Sequence, residues 1–481
     1  MQRLFSRGAI TAAALVLGVN ALTLAAPSAF AADISAKQFV KAPVLAATNW
    51  TGLYVNGGVG YGMWAADTTT VDPRLGLCDL CTTQVQGGKG WLGVVGIGFD
   101  YQLSPKIVAG VFLDGNLSSL KGTIQDGGPF YAGDIKQTSA WAVGARAGWL
   151  VDPRILAYVN TGYTSARFSG ANMVTTFNGK DSGATTATFT ANGWFVGGGV
   201  ETAIAPGWFW RNEYRFAYYG NHSIADVDLL NGPQNNITFK PTVQTFTTQF
   251  VYKFDSGHVA PAYPATSPVM AANWTGFYLN GGAGYGSWAA DTYTADPVTG
   301  QCAVCATQVQ GGKGYLGTIG AGYDWQFASA WVAGVFGEYT ISSLKGTIQD
   351  QDPVWSGEIK QTSAWAAGAR VGWLATPAIL TYVNGGYSSA RFSGTAMERD
   401  FPSVSTGNTT PGFTSNGWFM GGGTETTAAF LGKGWFWRNE YRYASYRDHA
   451  LTDTGRSGVN SNIIFKPTVQ TVTSQLVFKF N

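Results

Sequence analysis

The stretch Trp208-Phe209-Trp210-Arg211-Asn212-Glu213-Tyr214-Arg215-Phe216-Ala217-Tyr218 admits few folds. Read with the two-residue period of a strand, Trp208, Trp210, Tyr214, Phe216 and Tyr218 share one face, with Asn212 the single polar residue among them. Arg211, Glu213 and Arg215 share the other. A soluble sandwich also alternates, but burying such a charged row in its dry core is very costly. The pattern fits a wall whose aromatic side meets lipid and whose polar side lines an interior, as in a transmembrane β-barrel. Two more segments repeat it. Trp141, Val143, Ala145, Ala147 and Trp149 oppose Lys136, Thr138, Gly144, Arg146 and Gly148. Phe246, Phe250, Tyr252 and Phe254 oppose Thr245, Thr247, Gln249 and Lys253.

Composition agrees. Charged residues make up 12% of the 481, against about 25% in a typical soluble domain. Aromatic residues reach 14% and Gly numbers 65. No mature stretch approaches the ~18–20 apolar residues of a membrane-spanning helix. The net charge of +2 is too small to indicate a nucleic-acid partner, and His222, His258 and His449 form no cluster. Residues 1–31 read as a signal peptide, with Arg3 and Arg7, an apolar run from Ala9 to Ala26, and Ala29-Phe30-Ala31 as cleavage site. Residues 32–48 read as a periplasmic leader.

Asn49-Trp50-Thr51-Gly52 recurs as Asn273-Trp274-Thr275-Gly276, 224 residues on. The same offset relates Cys78 to Cys302, Arg146 to Arg370 and Glu201 to Glu425. Farther on, Trp435, Trp437, Tyr441 and Tyr443 oppose Arg438, Glu440 and Arg442. A period this long marks a duplicated domain, since solenoid repeats run to only about 20–50 residues. Each copy offers eight strand candidates, in the first Thr51–Trp64, Gly90–Gln102, Lys106–Ser118, Asp134–Leu150, Arg154–Phe168, Thr188–Ala203, Gly207–Tyr219 and Thr238–Phe254. Short turns at Ser104-Pro105, Asp152-Pro153 and Pro206-Gly207 alternate with long polar loops, the outer-membrane pattern with the long loops outside. The expected architecture is therefore all-β, an antiparallel up-and-down transmembrane barrel. Copy one covers 49–255, a linker 256–272 carries Pro261, Pro264 and Pro268, and copy two covers 273–481. Two tandem eight-stranded barrels are one solution. A single sixteen-stranded barrel enclosing a water-filled channel is the other. The choice turns on whether the eighth strand pairs with Thr51–Trp64 or with Thr275–Trp288.

Parity assigns Asp100, Asp114, Glu201 and Glu213 to the interior with Arg146, Arg211 and Arg215, and Arg370, Glu425, Arg438, Glu440 and Arg442 in the second copy. Eight strands leave an interior just wide enough for side chains to fill, so these charges form either a structural plug or an ion path. Inward Gly96, Gly98, Gly144 and Gly148 make room for the Arg side chains. In the first strand Leu53, Val55, Val59 and Tyr61 face lipid, Tyr54 and Asn56 face inward, and Trp50 anchors in the periplasmic aromatic girdle.

The opening Asn-Trp-Thr-Gly segment, the Gly-Gly-x-Gly-Tyr after it, the Trp-Arg-Asn-Glu-Tyr-Arg of the seventh strand and the aromatic last strand resemble the small outer-membrane immunogenic proteins, among the OmpA-like, opacity-type eight-stranded surface barrels of Gram-negative bacteria. The resemblance covers each copy and implies a cell-outer-membrane location. Leu476, Phe478 and Phe480 resemble the family's signal to the barrel-assembly machinery, followed atypically by Asn481. It also implies outer-membrane lipid as partner and host or environmental ligands at the outer loops. Cys78-x-x-Cys81 and Cys302-x-x-Cys305 depart from the family. In an exported chain they suit local disulfides, while cross-copy disulfides, a zinc site and free thiols stay open. No catalytic constellation, metal site or cofactor motif is found; Gly87–Gly90 lacks the spacing of a phosphate loop. Two function classes follow, a structural surface barrel supporting envelope integrity and a porin-like channel for small solutes.

Overall fold

A computed structural model of the chain describes residues 48–126, 131–176, 178–228, 232–254, 272–350, 355–400, 403–428, 431–456 and 458–480. The signal peptide, nearly all of the leader, residue 255 and residues 256–271 of the linker lie outside them. The first copy contains β1 (Gly52–Val71), β2 (Cys78–Gln102), β3 (Ile107–Gln125), β4 (Tyr131–Asp152), β5 (Ile155–Phe168), β6 (Asn172–Thr175), β7 (Asp181–Thr186), β8 (Phe189–Ala205), β9 (Trp208–Tyr218), β10 (His222–Asp228) and β11 (Gly232–Lys253). The second repeats the set as β12 (Gly276–Ala295), β13 (Cys302–Ala328), β14 (Trp331–Gln349), β15 (Trp355–Thr376), β16 (Ile379–Phe392), β17 (Thr395–Asp400), β18 (Ser403–Thr410), β19 (Phe413–Thr427), β20 (Trp435–Tyr446), β21 (His449–Gly455) and β22 (Gly458–Lys479).

Closure decides between the two architectures. β1 pairs with β11 of its own copy, from Tyr54↔Lys253 to Val71↔Asn236. β12 pairs with β22, from Tyr278↔Lys479 to Ala295↔Asn462. The chain is thus two tandem eight-stranded antiparallel barrels, and the single sixteen-stranded barrel is excluded. The first wall runs β1-β2-β3-β4-β5-β8-β9-β11. Closure leaves no open edge to satisfy, which is what a backbone in lipid requires.

The strands outrun their expected ends. β1 continues to Val71 and β2 begins at Cys78, so most of 67–89 is ladder. β6 with β7, and β10 with the start of β11, form further hairpins where polar loops were expected. The extensions hold because their inner face is apolar. Trp64, Leu120, Ile124, Phe168 and Phe239 pack there as one buried cluster. A register shift at Gln137–Ser139 also corrects the parity reading of β4. Below the shift Arg146 points inward, but beyond it Ile135 and Gln137 are the buried positions, so Lys136 leaves the Arg146 face.

The two barrels pack side by side with matched contacts. Lys89 pairs with Asp291 at 3.1 Å, and Lys313 with Asp67 at 2.9 Å. Phe246 stacks on Tyr441 with centroids 4.3 Å apart, and Phe216 meets Tyr285 as Tyr61 meets Tyr443. Gly87 and Gly311 lie where the walls come closest. A Cβ on either would sit 2.7 Å from the facing carbonyl, of Gln310 or Gln86. Beside them Gln84, Gln86, Gln125, Gln308, Gln310 and Gln349 are buried together and hydrogen-bond across the junction. Several aromatics assigned to lipid, Tyr61, Phe216 and Phe246 among them, therefore face the other barrel.

Candidate functional site: the filled lumen

The interior of the first barrel is a stack of layers. At the periplasmic mouth Trp50 is fully buried, its Nε1 donating to the Pro153 carbonyl at 2.9 Å and its ring against Phe209. This corrects the expectation of a lipid-facing girdle residue. Trp50 precedes β1, so its side chain is free of the strand's alternation and folds over the barrel mouth. Trp274 closes the second barrel in the same way, donating to Pro377 at 3.1 Å.

Above this lid lies the first charged layer. Arg146 donates Nε to Asp100 at 2.8 Å and Nη1 to Glu201 at 2.9 Å, with a further bond from Nη2 to Asp100. Arg211 donates two hydrogen bonds to Glu201, at 2.9 and 2.7 Å. Lys253 pairs with Asp100 and lies 3.5 Å from Glu201. The second layer joins Arg215 to Asp114 at 3.0 and 2.7 Å and to Glu213 at 2.8 Å. Glu213 also accepts from the Tyr158 hydroxyl at 2.8 Å and the Asn160 amide at 2.7 Å. All the sequence-predicted lumen residues of the first copy thus meet in one network, and the cations are packed on rings as well as carboxylates. Arg146 lies 4.8 Å from the Tyr54 centroid and Arg215 lies 4.4 Å from that of Phe195.

The second barrel reproduces this. Arg370 bridges Asp324 and Glu425, the latter at 2.9 Å, and Arg438 reaches Glu425 at 2.8 Å. Arg442 holds Glu338 at 2.6 Å and Glu440. Lys479 completes it, pairing with Asp324. Lys253, Lys479, Asp324 and Glu338 belong to the network yet were absent from the predicted set. Strand parity placed Lys253 inward, and the 224-residue offset carries Asp100 to Asp324 and Asp114 to Glu338. With these included, four carboxylates face four cations in each barrel. That balance is what makes burial tolerable, since each charge keeps compensating partners.

The inward glycines serve rings and carboxyls more than Arg itself. A Cβ at Gly98 would meet the Tyr54 ring at 2.4 Å, and one at Gly110 the Asp100 carboxylate at 2.1 Å. Above the charges comes the apolar cluster of Trp64, Leu120, Phe168 and Phe239, with the Trp64 indole donating to the Leu120 carbonyl at 3.1 Å. Polar side chains stand above that: Asp126, Asp226 and Asn235, all buried. The sequence reading missed both apolar layers, because Trp50 and Phe168 look the same whether they face lipid or lumen.

Outside, the wall between mouth and hairpins is apolar, with Val95, Ile97, Val111, Leu113, Trp141 and Trp208 exposed. Leu476 and Phe480 are on this outer face, and Phe480 N donates to the Phe277 carbonyl at 3.0 Å. Cys302 and Cys305 form a disulfide at the outer end of β13. Cys78 is also disulfide-bonded, while the Cys81 side chain lies outside the described residues. Among the described residues no group of three or more His, Cys, Asp or Glu is placed to hold a metal ion.

Closed eight-stranded walls, an apolar outer band and short turns opposite long hairpins define an outer-membrane β-barrel protein. The family model of the outer membrane protein beta-barrel domain matches residues 12–254 and again 259–473, so the chain belongs to that family and carries its domain twice. It is a protein of the outer membrane. The 31 kDa outer-membrane immunogenic proteins of Brucella melitensis biotype 1 and Brucella suis biovar 1 are each 30% identical over 213 residues, 42% of this chain and 86% of theirs. Among solved structures, Neisserial surface protein A aligns with 42% of this chain and 98% of its own at 16% identity and a TM-score of 0.23. A Pseudomonas aeruginosa FadL homologue aligns with 89% of this chain and 91% of its own at 9% identity and a TM-score of 0.28.

Proposed function

We propose that the protein is a structural surface barrel of the outer membrane, contributing to envelope integrity and displaying its long hairpins outward, and that neither barrel conducts solutes. The observation that supports this most directly is the stack inside each wall. A conducting path needs a continuous column of water. Here paired charges occupy the middle, Trp50 with Phe209 lies below, and Trp64 with Phe168 and Phe239 lies above. The hairpins β6–β7 and β10–β11, with β17–β18 and β21–β22, offer a large polar surface for contact with a host or the environment.

The test is planar-bilayer conductance of the refolded mature chain. Quiet membranes or rare, small events are expected. Stable openings in the nanosiemens range overturn the proposal and favour the porin-like reading.

A further inference from the structure

The contacts between the two barrels come in pairs. Lys89 meets Asp291 at 3.1 Å, and Lys313 meets Asp67 at 2.9 Å. The Val85 amide donates to Thr347 Oγ1 at 2.9 Å, and the Val309 amide donates to Thr123 Oγ1 at 2.9 Å. Gln125 donates to Gln308 as Gln349 donates to Gln84. In each case the second contact is the first with the copies exchanged. The 224-residue offset carries Asp67 to Asp291, Val85 to Val309, Lys89 to Lys313 and Thr123 to Thr347. Residues in the middle of the junction meet their own counterparts. Gln86 pairs with Gln310, and the Ser287 hydroxyl lies 3.9 Å from Met63 Sδ. This is the pattern of a two-fold interface, in which residue i of one partner meets j of the other and j meets i.

Such a face is complementary to itself. The acid, the lysine and the threonine are of the same type in both copies, so two first barrels set face to face would keep every one of these contacts. The edge-on rings survive as well. Tyr61 lies 5.4 Å from Tyr443 and Phe216 lies 5.5 Å from Tyr285, with Phe216 and Tyr443 holding equivalent places in β9 and β20. One contact breaks the symmetry. Phe246 stacks on Tyr441. Phe246 pairs with Tyr61, whereas Val472 stands in its place opposite Tyr285. Two first barrels would therefore set Phe246 against the ring of Tyr214, the counterpart of Tyr441, twice over, and two second barrels would lack that stack.

We infer that the junction is a self-recognition surface whose partner is a barrel carrying the same face, from the other half of the chain or from a second copy of the chain. The linker is not what holds the barrels together. It supplies the second barrel at an effective concentration on the order of millimolar, so the intact chain satisfies the face internally. Freed from the tether, first barrels pair with first and second with second through the same contacts, and the first–first pair is the firmer of the two.

The test uses the full mature chain with a protease site placed in the linker, refolded in detergent and cut only after refolding. Native mass spectrometry separates the three possible pairings by mass. The halves are expected to stay paired after the cut. Parted at high detergent and returned to low detergent, they should form first–first, first–second and second–second pairs, the last dissociating first on dilution. Asp67→Lys puts two like-charge contacts into a first–first pair and one into a first–second pair. It should therefore lower the ratio of the former to the latter by at least about fivefold, while heat-modifiable migration shows that each wall remains folded. Separation into single barrels at the cut overturns the inference and means that the tether alone kept the walls together. Recovery of first–second pairs alone overturns it too, because the two faces have then diverged. A pair ratio unmoved by Asp67→Lys also overturns it, the association then being non-specific.

Discussion

Glu201→Gln tests whether the lumen is a dry plug. The substitution keeps the side-chain volume and removes one negative charge. Glu201 accepts hydrogen bonds from Arg146 at 2.9 Å and from Arg211 at 2.7 Å, and lies 3.5 Å from Lys253. Without its charge, Arg146 and Lys253 keep only Asp100, and Arg211 loses the carboxylate it hydrogen-bonds. All are buried, Arg146 and Arg211 being 4% exposed and Lys253 1%. Removing one partner of a buried pair typically costs about 3–5 kcal/mol. At 1.36 kcal/mol per tenfold, that lowers the folding equilibrium by roughly two to nearly four orders of magnitude. The assay is denaturant unfolding in detergent or lipid vesicles, followed by tryptophan fluorescence. Adding Arg211→Gln to Glu201→Gln removes the excess cation and should recover part of the loss. Glu425→Gln should reproduce the cost in the second barrel, and the two should add, since the networks share no partners. A cost below about 1 kcal/mol, the range of solvent-exposed pairs, would mean that water screens the lumen. The plug would then be refuted, and with it the reason for expecting no conductance.

Other consequences follow from the same geometry. Trp50→Ala empties the periplasmic mouth and should cost about 3–5 kcal/mol, whereas Trp208→Ala, on the lipid face at 46% exposure, should cost distinctly less by the same unfolding assay. Gly87→Leu forces the Gln310 carbonyl away and should separate the barrels without unfolding them, read as reduced disulfide cross-linking of a Tyr61→Cys, Tyr443→Cys variant. Burial beside Asp126 pushes the Asp226 carboxyl up to about 7 from an ordinary 3.8. Its folded state thus favours the protonated acid, so the stability it contributes is complete below about pH 4 and lost as pH rises towards 7. Asp226→Asn should flatten that slope in a thermal-midpoint series. Cys302–Cys305 closes only a short loop, so its reduction should leave heat-modifiable migration unchanged, with alkylation mass shifts confirming that the bond was opened.

The barrel wall was legible because a membrane strand writes its environment at every second residue. Trp208 and Trp210 against Arg211 and Glu213 mark one strand's two faces without knowledge of its neighbours. The duplication likewise needed only the spacing of Arg146 and Arg370, and the lumen acids and bases followed from parity. Parity failed where the ladder broke step. The shift at Gln137–Ser139 turned Lys136 away from the Arg146 face, and no local signal separates a bulge from a regular strand. It failed again at Trp50, which lies outside the strand and obeys no alternation. The sorting of outward aromatics was also beyond it, since Phe246 meets Tyr441 and Phe250 meets lipid from the same face of one strand.

What the sequence by itself determined is therefore local and periodic: the strand faces, the two copies and the charges of the interior. The faces and the interior charges depend on residues one or two positions apart, and the copies on one fixed offset of 224 residues. Only the tertiary structure decided that β11 closes on β1 rather than on β12, that the interior charges balance four against four, and that Trp50 folds over the barrel mouth instead of meeting lipid. Each of these depends on hydrogen bonds and contacts between residues on different strands and the segments flanking them, whose energies are set by burial and geometry and leave no periodic trace in the chain.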